Sequence, residues 1–110
     1  RGGGTVKIRE TELDITKNLR AIDWLKTELL GAVTLVFRAA ARGSEEIIAD
    51  ALAQVILIVY LLGRRLGISF TTLDSRLLGM VRHGVADEHE LEKWYGDLST
   101  LDEYLRTSKR

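Results

Sequence analysis

Glu46, Asp50 and Gln54 recur every four residues in an otherwise apolar run. In a helix that spacing lines them along one narrow strip. Ile47 to Leu62 is apolar apart from Asp50 and Gln54. A carboxylate in such a setting must be paired, hydrogen-bonded, metal-bound or neutralised. Asp50 is the critical case, because it falls a full turn inside the helix. One outcome is a hard-cation site. Mg2+ takes carboxylate oxygens, keeps several waters and uses phosphate oxygens as further ligands. A facing helix can supply another carboxylate, and Glu28 is the candidate, close to the small residues Ala21 and Ala32. The other outcome is structural. Glu45 and Glu46 then serve as first-turn charges, Asp50 pairs with an arginine or lysine, and Gln54 hydrogen-bonds across a subunit interface.

The remaining candidates have plainer explanations beside their chemical ones. Arg64 and Arg65 sit where a helix C-terminus favours cations, which competes with phosphate contact as their role. Trp24, Trp94 and Tyr95 can stack a base, but aromatic residues beside apolar neighbours also serve as core or interface anchors. Lys26 can touch a phosphate or cover apolar surface. His83 precedes a glycine and reads as a helix-end residue, and His89 lies among glutamates at a solvated position. Neither has a partner pattern for catalysis.

Composition narrows the classes further. The 110 residues carry 16 lysines and arginines against 16 aspartates and glutamates, for a formal net charge of zero. A general nucleic-acid binder needs a basic excess, so no nucleic-acid polymer is expected as a partner. There is no cysteine, which excludes disulfides, thiolate metal sites and thiol nucleophiles and fits a cytoplasmic setting. There is no proline either, as suits long uninterrupted helices. The apolar run Ile47 to Leu62 has 16 residues against the roughly 20 that cross a bilayer. With Asp50 and Gln54 inside it, a buried helix is expected and no membrane partner.

The elements that must position these residues are helical. Ile15, Leu19, Ile22, Leu25, Leu29, Val33, Val36, Phe37 and Ala40 recur at helical spacing and predict a first helix over 14–42. It would be capped by Asp14 and stopped by Gly43, with Thr34 and Arg38 facing water. Ser44 caps a second helix running to about Leu66, which Gly67 terminates. This helix is apolar on almost every side and must be covered on every side, more than one 110-residue chain readily supplies. An isologous homodimer, or a tetramer, is therefore expected. Ser69 or Thr71 caps a third helix over 71–83, ended by Gly84. Asp87 begins a short one through Tyr95, ended by Gly96. Asp97 or Ser99 caps a last one to about Thr107. Residues 1–12 are expected to be disordered or extended, with no signal peptide in their glycine-rich start. Residues 108–110 are expected to fray, and 13–107 to form a single all-α domain.

Several runs of the chain resemble the MazG-like branch of the all-α nucleoside triphosphate pyrophosphohydrolases. They are Lys26-Thr27-Glu28-Leu29-Leu30, Ala41-Arg42-Gly43-Ser44-Glu45-Glu46, Ala49-Asp50-Ala51-Leu52-Ala53-Gln54, Leu62-Gly63-Arg64-Arg65-Leu66-Gly67-Ile68-Ser69 and Glu88 through Ser99. The resemblance implies an all-α helical bundle assembled as a dimer or a dimer of dimers. It further implies cleavage of a nucleoside triphosphate between the α and β phosphates, with Mg2+ or Mn2+ held by an E-x-x-E and an E-x-x-D motif. Glu28 matches the first glutamate and Asp50 the aspartate. Gly31 and Ile47 stand where the other two acids belong, and Glu46 is four rather than three residues before Asp50. The implied metal ligands are thus Glu28, Asp50 and Glu46, with Glu28 and Asp50 catalytic. Arg76 and Arg82 lie where the family tends to place phosphate contacts, and Arg82 is the cofactor- or phosphate-binding candidate. The two missing acids leave a second reading, a lapsed helical dimer that binds a nucleotide or a protein.

Overall fold

The computed structural model describes residues 2–108, with side chains from residue 9 onward. It contains α1 (Gly2–Arg42), α2 (Glu45–Arg65), α3 (Phe70–Ala86), α4 (Glu90–Tyr95) and α5 (Asp97–Ser108), and no strand among the described residues. The all-α expectation holds. The chain divides into two compact units, 1–68 and 69–110, where the sequence reading puts one domain over 13–107.

The first unit is the antiparallel hairpin of α1 and α2. Leu25, Ala32 and Ala39 are buried on α1, with Ile22, Leu29 and Val36 half-buried between them. Ala51 and Ile58 are buried on α2, with Ile48, Val55 and Leu62 half-buried. Both seams alternate spacings of three and four, the heptad pattern that keeps two helices in register. Leu25, Ala32 and Ile58 form the core, and Leu29, Val55 and Leu62 pack against it.

The turn and the ends follow from local chemistry. The Gly43 N–H donates to Ala39 O at 2.6 Å, and a Cβ at Gly43 would lie 2.7 Å from that same oxygen. Ser44 caps α2 by accepting from the Ile47 N–H at 3.4 Å. At the other end Gly67 has φ +90°. Its N–H donates to Arg64 O at 3.1 Å and that of Ile68 to Gly63 O at 2.8 Å, a Schellman closure that only a left-handed residue permits. The Asn18 amide donates to Arg65 O at 3.0 Å and ties α1 to this end.

Two expectations change here. α1 starts at Gly2, so Asp14 is an interior residue rather than a cap, and the segment read as disordered or extended is helical. No proline interrupts it, and of its glycines, each costing about 1 kcal/mol in a helix, three fall in its first turn and Gly31 alone is interior. Arg1, Lys109 and Arg110 lie outside the described residues, while Ser108 belongs to α5.

In the second unit Ser69 caps α3 through the Thr72 N–H at 3.0 Å. α3 continues through Gly84 to Ala86, and Asp87 closes it rather than opening the next helix. Gly84 is a packing position, since a Cβ there would come 2.5 Å from Leu98 Cδ1. His89 caps α4, its Nδ1 accepting from the Leu91 N–H at 3.1 Å. Gly96 ends α4 with φ +68°. The Glu92 carboxylate then accepts from the Ser99 N–H at 3.0 Å and from the Ser99 hydroxyl. Ser99 therefore lies in the first turn of α5 and Glu92 satisfies that turn from outside.

Candidate functional site

Alongside the α1–α2 seam runs an open cleft of about 650 Å³. α1 lines it with Glu28, Gly31, Leu35 and Arg38, and α2 with Ile47, Asp50 and Gln54. Each set is a second strip at spacings of three and four, one step around the helix from the seam. Glu28 and Asp50 thus line one cleft. Among the described residues neither makes an ion pair or a hydrogen bond, so Asp50 is not held by an arginine or lysine. Gly31 and Ile47, the two departures from the family's acidic pattern, line the same cleft. A Cβ at Gly31 would meet nothing within 4 Å.

The register of the hairpin decides what the two acids can do. Counted outward from the turn at Gly43 and Ser44, Ala32 lies level with Val55, Leu29 with Ile58, and Asp50 with Phe37. Glu28 is nine residues from that level, about 13 Å along the axis at 1.5 Å per residue. Helical side chains also lean toward their own N-terminus, so Glu28 leans away from the turn and Asp50 toward it. By this count the two carboxylates are offset along the hairpin axis. Glu46 is exposed and does not line the cleft; Ile47 does. No group of three His, Cys, Asp or Glu among the described residues could hold a metal. The donor set therefore does not fit the Mg2+ site that the family resemblance implies.

Arg82 is engaged elsewhere. Its Nε lies 3.5 Å from Asp102 Oδ1, and Arg106 approaches the same carboxylate at 2.5 Å. These guanidiniums, the Arg106 hydrogen bond first, hold the Asp102 carboxyl below its ordinary value. The bonds from Ser99 do the same for Glu92. His83 Nε2 pairs with Asp87 at 2.8 Å, and Lys26 with Asp23 at 3.3 Å. Trp24, Trp94 and Tyr95 are exposed, the last two in edge-to-face contact at 6.4 Å.

Arg38 is the cleft residue that the sequence reading misplaces. It is exposed, but it faces the cleft rather than open water, and it has no ion-pair partner among the described residues. The Glu28–Gly31–Leu35–Arg38 spacing carries the signal. The apolar face drawn through Val33 and Phe37 obscures it, and both of those residues are exposed. With two carboxylates and one guanidinium, the cleft has a formal charge of minus one.

The model of the MazG-like family matches residues 15–98, across both units. No curated protein and no solved structure matches the chain.

Proposed function

Because the chain belongs to the MazG-like family, we propose that it is a homodimeric member of the nucleotide pyrophosphohydrolase type whose cleft serves as a protein-binding surface rather than a hydrolase centre. The observation that carries this reading is the donor set: among the described residues no group of three His, Cys, Asp or Glu comes together, and the cleft's acids are Glu28 and Asp50 alone. Gly31 and Ile47 occupy the intervening ligand positions. Metal-assisted cleavage of a phosphoanhydride needs cations that neutralise developing charge and orient the attacking water. Two carboxylates that lean apart supply no such centre, and the minus-one cleft adds no compensating field for a polyphosphate. The homodimer is supported by α2, where Ile47, Leu52, Ile56 and Leu57 are each about half exposed or more. Such a face needs cover.

The second reading, hydrolysis to monophosphate and pyrophosphate with Mg2+ or Mn2+, is favoured by one observation: Glu28 and Asp50 share a cleft and have no ion-pair partner among the described residues. Pyrophosphate release from a panel of nucleoside triphosphates, with each cation, separates the two. The expected outcome is release no faster than the protein-free blank, and no Mn2+ binding by calorimetry that depends on Asp50. Release that disappears in Asp50→Asn overturns the proposal and establishes the hydrolase.

A further inference from the structure

The α1 strip of the cleft carries Glu28 at one end and Arg38 at the other, ten residues and about 15 Å apart. Neither has an ion-pair partner among the described residues. A strip with opposite charges at its two ends is self-complementary across a two-fold axis perpendicular to it. We infer that a second copy of the chain closes the cleft across such an axis, with Glu28 of each protomer paired to the partner's Arg38. This inference rests on the homodimer of the preceding reading and names its surface.

The residues near the axis suit that arrangement. The midpoint between Glu28 and Arg38 falls at residue 33, and Gln54 of α2 lies level with it. A primary amide both donates and accepts, so Gln54 can hydrogen-bond to its own copy. Gly31, with nothing within 4 Å of an added Cβ, leaves room for close approach. The α2 strip continues from Gln54 through Leu57 and Leu61, which with Ile47 are 50%, 39% and 54% exposed. Ile47, Asp50, Gln54, Leu57 and Leu61 thus form a second heptad seam beside the one used within the hairpin. Trp24, 61% exposed, extends the α1 strip by one turn beyond Glu28 and supplies an aromatic anchor.

Asp50 lies near the level of Arg38. The same two-fold therefore brings the partner's Asp50 to the level of Glu28, with the guanidinium between the two carboxylates. Arg38 then stands where a cation would otherwise be needed, which accounts for two acids facing a cleft without a third.

Charge reversal tests this on the full chain. Glu28→Arg and Arg38→Glu are each expected to weaken self-association at least about 10-fold by sedimentation, with helix content by circular dichroism unchanged. Glu28→Arg with Arg38→Glu in one chain restores the dimer. An equimolar mixture of the two single variants forms a heterodimer, because each supplies the charge the other lacks. A wild-type dimer that both single variants form equally tightly, or a mixture that does not pair, overturns this surface and leaves a homodimer through another face. A wild-type chain that stays monomeric at high concentration overturns both this surface and the homodimer.

Discussion

At Gly43 the lack of a side chain lets the backbone turn tightly out of α1 toward α2. A methyl group there would meet the Ala39 carbonyl oxygen at 2.7 Å, the Ala39 Cα at 3.2 Å and the Ile47 side chain at 3.1 Å. Two of those contacts are backbone and cannot rotate aside, so the turn itself would have to move. Gly79, inside α3, has nothing within 4 Å of an added Cβ. There glycine only increases the entropy lost on forming the helix. The two positions should answer the same substitution with opposite signs. In urea unfolding, Gly43→Ala is expected to lower stability by roughly 1–3 kcal/mol. Gly79→Ala is expected to raise it by about 0.5–1 kcal/mol. A neutral Gly43→Ala would show that the turn relaxes freely and that the register built on it is soft.

At the scale of elements, the second unit relies on polar closure. α5 begins one residue after α4 ends, with Gly96 between them. Its first turn is satisfied by the Glu92 carboxylate through the Ser99 N–H and hydroxyl. Those bonds hold the Glu92 carboxyl below its ordinary value of 4.5, and Arg106 foremost holds Asp102 below 3.8. A carboxyl depressed by folding adds stability that is complete above its ordinary value and is lost as pH falls through the depressed one. The helical signal of the wild type should therefore be most stable near neutrality and decline once the pH drops below about 4.5, as Glu92 and Asp102 take up protons. Thermal melts of Glu92→Ala should show a lower midpoint at pH 7 and a flatter acid limb. An acid limb as steep as the wild type's would remove Glu92 from the account.

The helix boundaries also show what local sequence specifies. Ser44, Ser69, Gly67 and Gly96 end or begin helices through bonds within a few residues, and each reads directly from the sequence. Gly84 looks the same in one dimension, yet α3 runs through it. Its role comes from Leu98, fourteen positions away. The start of α1 was hidden because glycine signals a break only when neighbouring residues also refuse the helix, and those of residues 5–13 do not. The site divides in the same way. Periodicity placed Glu28 and Asp50 toward one another's helix, and they do share a cleft. Their offset along it is set by a two-residue turn. The choice of Ile47 over Glu46 follows from which face of α2 the seam at Ala51 and Ile58 occupies. Neither is a property of spacing within one helix.

For the whole molecule the unresolved physical demand is α2. It is 21 residues long and apolar enough, by length and composition, to cross a membrane. Only Ala51 and Ile58 of it are buried. Gln54 lies near the middle of that helix and Asp50 one turn nearer its start on the same strip, where lipid would leave both unsatisfied. In the proposed dimer a second copy would offer them a guanidinium and an amide, which makes protein cover the better solution. If the fold is completed by association, its stability depends on protomer concentration, because only the assembled state covers α2. Each tenfold increase adds on the order of 1.4 kcal/mol per dimer, which for two chains of this size raises the thermal midpoint by about 3–5 °C. Melts over a hundredfold range of protein concentration, read by circular dichroism, should show that rise. A midpoint independent of concentration would mean that one chain is stable with α2 bare, and the need for a covering subunit would disappear.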